Sequence, residues 1–338
     1  MMVPPTPIPL RIAVVQFCPK IGQVHANIKR AKELCRRIQP RSVDLVCFPE
    51  MIFSGYVFPN AQAIKPHLER PRTGPTSQFC SELAKGLGCY VIAGYPELLE
   101  ADEVDTTEAA DGNGLAVGAN SAVLCGPRGE WVGDYRKTNL FEMDKCWAKA
   151  GGGFKTFDLP SPLRRVSIGI CMDLNVQPPA VWDSLDGPYE LASYAHSQGS
   201  DVLILLNAWL DSEVEPEERS DWGTLNFWAA RLRPLWEPEP GSDPDSDSGG
   251  SSPDSENASS ANEGKHTVVV VCNRAGEENG KSFIRQVLCG TYATRRSVGK
   301  TFAGSSALFS MHGGSNRPKL CDVMGRREEG VRIWSIVV

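Results

Sequence analysis

The sequence predicts an α/β protein built on mixed sheets, and three observations carry that expectation. Short β-branched runs alternate with amphipathic stretches; several runs in the middle follow one another without a helix between them; and the clearest helix has proper start and stop chemistry, Pro75 and Thr76 at one end and Gly88 at the other. Consecutive strands without crossover helices require antiparallel pairing, so a purely parallel doubly wound sheet is not expected.

In chain order, residues 10–17, 44–48, 90–94, 121–125, 131–136, 166–170, 201–207, 267–272, 306–309 and 331–338 read as strands. They are rich in Val, Ile and aromatic residues and are bounded mainly by Gly, Pro, Asp or Asn. Residues 24–38, 76–87, 189–198 and 221–232 read as helices from apolar residues recurring three and four apart. Two acidic stretches interrupt the pattern. Residues 97–119 read as a long surface loop whose first fifteen residues hold seven carboxylates and no base. Residues 237–264 carry eight acidic residues and no basic or aromatic ones, with many Ser, Gly and Pro. Such a segment buries too little apolar surface to offset its ordering entropy and is expected to be a disordered insertion. The 211–221 stretch reads as a third loop. The whole, 1–338, is expected to be one domain.

Composition limits what this domain can do. With 35 basic and 41 acidic residues the net charge is −6, and removing the 237–264 segment leaves only a slightly positive remainder, so no nucleic-acid partner is expected. The eleven cysteines are scattered, with no CxxC pair, and the five histidines show no metal-ligand spacing, so neither a disulfide framework nor a metal site is expected. The glycine runs at 151–153 and 313–315 lack nucleotide-binding spacing. No cofactor is expected. The proline-rich start MMVPPTPIPL lacks a basic leader region, and the longest apolar run, VLILLNAWL, is about half a membrane span. A cytoplasmic address without membrane contact is the expectation.

Three polar residues lie just past apolar strands, where a sheet delivers functional groups to a shared cleft. Glu50 closes DLVCFPE, Lys137 closes WVGDYRK, and Cys171 follows RRVSIGI. A cysteine at a strand-to-turn corner presents its sulfur as nucleophiles are presented in α/β hydrolases. A thiol with a pKa near 8.5 is a few per cent ionised at neutral pH, so a base must take its proton and a cation must hold the charge. Glu50 can do the first and Lys137 the second. The same ammonium, with the backbone N–H of Met172, can stabilise the oxyanion formed when sulfur attacks a carboxamide. A purely structural Glu50–Lys137 ion pair is the competing reading, and His196 is the sole candidate for papain-like pairing, set aside for its polar surroundings.

These contexts match a known pattern. VCFPEMIFSGY, YRKTNLFEMDKCW and GICMDLN, with LILLNAWL, VVVVCNRAG and FAGSSALF further on, resemble the nitrilase (carbon-nitrogen hydrolase) superfamily. Within it the resemblance is strongest to enzymes that act on N-terminal asparagine and glutamine in the N-degron pathway, and it runs from about residue 10 to 309 with the acidic stretches as insertions. It implies a four-layer α-β-β-α sandwich, no metal, and the acid, ammonium and nucleophile roles for Glu50, Lys137 and Cys171. It further implies hydrolysis of the side-chain carboxamide of N-terminal Asn or Gln to the acid, releasing ammonia through an acyl-thioester, with the N-terminal segment of a protein or peptide as partner.

Members usually carry a second glutamate that supports the lysine and the attacking water. Its expected position falls in WAKAGGGF, where Lys149 and Ala150 stand instead, with Glu142 and Asp144 as the nearby substitutes. Loss of that acid predicts slow deacylation, or a weak homologue that binds N-terminal residues without turning them over; a small-molecule amidase or nitrilase is the other alternative. Glu142, Asp144 and Asp173 are the candidate partners for a substrate α-ammonium, Asp173 equally being a residue that ties down the turn. Asn273 and Arg274 either face the cleft or pack the sheet edge.

Overall fold

The computed structural model describes residues 8–104, 116–181, 183–213, 215–237, 264–278 and 299–338. Among the described residues fourteen strands run in chain order as β1 Pro9–Gln16, β2 Leu45–Cys47, β3 Tyr90–Leu98, β4 Gly118–Cys125, β5 Trp131–Arg136, β6 Lys155–Asp158, β7 Arg165–Ile170, β8 Val202–Asn207, β9 His266–Asn273, β10 Ala275–Glu278, β11 Lys300–Ala303, β12 Ala307–His312, β13 Lys319–Val323 and β14 Gly330–Val337. The α-helices are α1 Val24–Cys35, α2 Ala61–Ile64, α3 Pro75–Leu87, α4 Glu142–Lys145, α5 Glu190–Ser197 and α6 Trp222–Arg231.

Two six-stranded sheets form, in the orders β14-β1-β2-β3-β4-β5 and β13-β12-β9-β8-β7-β6. Each has three parallel strands at its centre, β1-β2-β3 and β7-β8-β9, flanked by antiparallel neighbours. Side-chain alternation makes the layers. Leu10, Ile12 and Val14 of β1 share one core with Val202, Ile204 and Leu206 of β8 and with Val268 and Val270 of β9. The residues between them point the other way: Ala13 and Val15 meet Ala31, Phe79 and Ala84 of α1 and α3, while Leu203, Leu205 and Val269 meet Leu191, Ala195, Leu225 and Trp228 of α5 and α6. Strands apolar on both faces can only be buried on both, which produces helix, sheet, sheet, helix. Each fully buried Val, Leu or Ile contributes about 1.5–3 kcal/mol.

All ten expected strands and four expected helices are present, the 131–136 strand with its expected bounds and the others with shifted ends. Helix α3 begins at Pro75 and closes on Gly88 at φ 67°, and α6 starts on Asp221, whose carboxylate accepts the Thr224 N–H at 2.9 Å. Four strands are additional. β6 and β13 are sheet edges of mixed polarity, and β10 and β11 make a two-stranded ribbon. The 97–119 loop is narrower than expected, because β3 extends through Leu98 and β4 begins at Gly118. Glu97 is buried, accepting hydrogen bonds from Arg136 at 2.7 Å and Ser121 at 2.6 Å. Residues 105–115, and 238–263 of the expected disordered insertion, lie outside the described residues. Among the described residues no helix is long and apolar enough to cross a membrane.

One close approach positions the site. Gly94 in β3 lies directly against the backbone that follows β2: a Cβ there would stand 2.6 Å from Glu50 Cα and 2.7 Å from Met51 N. The Gly94 N–H also donates to Pro49 O at 3.1 Å. Replacing Gly94 with alanine must push the Glu50 turn away from the sheet. Chemical denaturation of Gly94→Ala is expected to show a loss of about 1–3 kcal/mol, the usual cost of overpacking, together with reduced activity. Full stability and activity would show that the turn yields freely.

Candidate active site

Glu50, Lys137 and Cys171 come from three different strand ends and meet where the two sheets face each other. β2 ends at Cys47, and the chain turns at Glu50 and Met51, the latter at φ 50°. β7 ends at Ile170, and Cys171 itself has φ 46° at the start of a 3-10 turn. Left-handed backbone in residues with a Cβ costs about 1–2 kcal/mol each, and such strain persists only where the surroundings over-determine it. Asp173 supplies much of that determination. Its Oδ2 accepts the Ile170 N–H at 2.8 Å and the Tyr135 hydroxyl at 2.7 Å; its Oδ1 accepts the N–H groups of Thr138 at 3.0 Å and Asn139 at 2.8 Å. With four donors on two oxygens, Asp173 locks the Cys171 corner to the segment after Lys137 and is not offered to a substrate ammonium. Burial still pushes its carboxyl up to about 6, against the pull of those donors.

Lys137, just beyond β5, is fully buried between two carboxylates. Its Nζ donates to Glu50 Oε1 and to Asp144 Oδ2, each at 2.7 Å. Asn120 of β4 links the same pair from the other side, donating to Glu50 Oε1 at 2.7 Å and Asp144 Oδ1 at 3.0 Å. The second acid missing from WAKAGGGF is therefore present on the lysine as Asp144, and the reason for expecting slow deacylation or a mere binding module disappears. Asp144 reaches inward from the one-turn helix α4, whereas Glu142 two positions earlier points outward, with a side chain 75% exposed and paired with Lys145. Glu142 is thus not part of the buried cluster.

Cys171 is tied to Glu50 through the end of β8. Its N–H donates to Asn207 Oδ1 at 3.1 Å, and the next residue, Ala208, donates its N–H to Glu50 Oε2 at 2.7 Å and also acts on the sulfur. Asn273, at the end of β9, accepts the Trp209 N–H at 2.9 Å and donates to Gly304 O at 2.9 Å. It braces the strand ends. His196 on α5 has its Nδ1 2.7 Å from Pro234 O and takes no part.

Electrostatics keep the resting proton on sulfur. Burial raises the Glu50 carboxyl, with Lys137 opposing and Asp144 adding to the rise. Burial works against the Lys137 charge, but Asp144 and Glu50 outweigh it and hold the ammonium protonated. The Cys171 thiol is held well above its ordinary value, first by burial and then by Glu50, with Lys137 in opposition. The resting sulfur is therefore a thiol beside a carboxylate able to accept its proton, and Cys171 and Met172 keep 9% and 8% exposure while Glu50, Lys137 and Asp144 have none. Among the described residues no group of three or more His, Cys, Asp or Glu is placed to hold a metal ion.

Asp144 in its supporting position, Asn120 and Asn207 were not legible as a set. The signal available for Asn120 was an amide inside GANSAVLC, an otherwise apolar strand in which every residue is buried; a buried polar side chain there demands partners.

Residues 11–188 match the family described as Carbon-nitrogen hydrolase. The protein N-terminal amidase of Schizosaccharomyces pombe is 30% identical over 294 residues, covering 81% of this chain and 88% of that protein. The protein N-terminal amidase of Saccharomyces cerevisiae is 28% identical over 224 residues, 60% of this chain and 45% of that one. A crystal structure of N-terminal amidase with Asn-Glu-Ala peptide superposes with a TM-score of 0.73 at 20% identity, covering 98% of both chains. Because the sequence match runs from β1 past the Cys171 corner, through more than half of the chain, and the sandwich agrees with it, this protein belongs to the carbon-nitrogen hydrolase family.

Proposed function

We propose that this protein hydrolyses the side-chain carboxamide of asparagine or glutamine at the N-terminus of a protein or peptide, forming the acid and releasing ammonia. The observation that carries the reading is the buried Glu50–Lys137–Asp144 cluster set against Cys171 at a left-handed corner. Similarity to the fission yeast N-terminal amidase over most of both chains supports the substrate, as do related structures holding Asn-Glu-Ala and Gln-Val peptides. The shared inter-sheet core supports reading 1–338 as one domain, and we place the enzyme in the cytoplasm and in the N-degron pathway, without a membrane or nucleic-acid partner.

The chemistry follows from the charges. Sulfur attacks the carboxamide carbon as its proton passes to Glu50; Lys137 and the Met172 N–H stabilise the oxyanion. Glu50 returns the proton to nitrogen, the C–N bond breaks and ammonia leaves. Water then attacks the thioester with Glu50 as base, and the departing sulfur takes up the proton. Asp144 keeps the ammonium in place while Glu50 changes charge. One methylene separates Asn from Gln and is worth about 1–3 kcal/mol in a pocket, so one site can take both.

Two measurements test this. Incubated with an Asn-initiated peptide, the wild-type enzyme is expected to raise the peptide mass by about 1 Da, the difference between amide and acid, while Cys171→Ser does not. Undiminished turnover by the variant would remove Cys171 as nucleophile. Asp144→Asn retains shape and one acceptor but removes a charge from Lys137. A fall in kcat of about a hundredfold or more is expected, with the peptide's KM little changed; wild-type kcat would show that Glu50 alone holds the lysine.

A further inference from the structure

The loop that follows Glu50 is held by a part of the chain more than two hundred residues away. Gly55, at φ 81°, lets the backbone pass against Ile21 and the Glu278 carboxylate: a Cβ there would stand 2.8 Å from Ile21 Cα and 2.9 Å from Glu278 Oε1. The next two N–H groups, Tyr56 and Val57, donate to Glu278 Oε2 at 3.0 and 2.8 Å. Glu278 ends β10 and is ion-paired with Arg274, both side chains being buried. The Arg274 guanidinium lies 3.9 Å from the centre of the Phe302 ring, and Phe302 in turn meets the Tyr56 ring edge-on at 6.4 Å. A fully desolvated ion pair is a weak source of stability compared with an apolar pair of the same volume, which turns attention to what this one holds in place.

What it holds is Tyr56. The centre of its ring is 5.7 Å from Lys137 Nζ, and its hydroxyl is buried with no hydrogen-bond partner within 3.5 Å. Burial, then Asp144, Glu50 and Cys171, keep the phenol well above its ordinary value, so it remains a neutral O–H donor beside the reacting groups. The acceptor it faces is the Asp144 carboxylate, whose oxygens already take the Lys137 ammonium, the Asn120 amide and the Phe141 N–H, so the buried O–H is left for an acceptor that a ligand brings, and a carboxamide brings its oxygen.

We propose that Tyr56 contacts the substrate, donating its O–H to the carboxamide oxygen, and that the buried Arg274–Glu278 pair is the device that positions it. The inference deepens the amidase reading and rests on it for the identity of the substrate. Tyr56 is then a catalytic residue, and Glu278 acts through it.

A double-mutant cycle tests both statements: Tyr56→Phe, Glu278→Gln and the double variant, assayed on an Asn-initiated peptide with melting temperatures recorded. Tyr56→Phe is expected to lower kcat about tenfold or more with KM little changed, the behaviour of a donor used in the transition state. Glu278→Gln is expected to lower kcat too, but to have no further effect in the Tyr56→Phe background, because its influence passes through the lost hydroxyl. Wild-type kcat in Tyr56→Phe, or losses that multiply independently, would overturn the proposal. Should Glu278→Gln fail to fold, Phe302→Leu, which removes the ring packed on Tyr56, takes its place in the cycle. A wild-type enzyme that leaves Asn- and Gln-initiated peptides unchanged would end the substrate reading alone. The cycle is then read on the rate of Cys171 alkylation by iodoacetamide, whose carboxamide oxygen offers the same acceptor: slowing by Tyr56→Phe sustains the contact, and an unchanged rate refutes it.

Discussion

The site depends on one ammonium shared between two buried carboxylates. Lys137, Glu50 and Asp144 have no solvent exposure, so each charge is tolerable only because the others neutralise it and Asn120 and the Ala208 N–H take up remaining lone pairs. Burial raises the Glu50 carboxyl, with Lys137 opposing and Asp144 adding to the rise, which readies it to accept a proton. Burial first, and then Glu50, hold the sulfur as a thiol, with Lys137 in opposition. On the proposed mechanism Cys171 therefore ionises only as a substrate carbonyl takes up the charge.

The sandwich brings these groups together. Parallel strands at the centre of each sheet place their carboxyl ends on a common edge, so the residues after β2, β7, β8 and β9 converge although they are far apart in the chain. Left-handed turns at Met51 and Cys171 then redirect the backbone before it can continue into the next element. Strain at the Cys171 corner is sustained by directed hydrogen bonds, chiefly the four that Asp173 accepts. Asp173 is as necessary to the geometry as the groups that carry the chemistry, without touching the reaction itself.

Legibility followed range. Glu50, Lys137 and Cys171 each end an apolar run, a local pattern visible without coordinates, and the helix limits of α3 are written in Pro75 and Gly88. Asp144 was visible only as an acid near Lys137. Which of Glu142 and Asp144 turns inward depends on the phase of the one-turn helix α4 and on the Phe141 N–H, which holds Asp144 Oδ2 at 3.0 Å. Strands β10, β11 and β13 were missed because their residues alternate weakly and owe their extended form to a pairing partner rather than to propensity.

The sequence by itself determined the layers and the chemical inventory: strands apolar on both faces must be covered on both, and a carboxylate, an ammonium and a thiol stand at strand ends whatever the packing. Only the tertiary structure decided the partners. That Asp144 rather than Glu142 meets Lys137, that Asp173 is spent on backbone N–H groups, and that Glu278 reaches across to Tyr56 all depend on contacts between distant segments. Hydrogen bonds act over about 3 Å, and no spacing along a chain specifies which buried donor and acceptor will come within that distance until the core has closed around them.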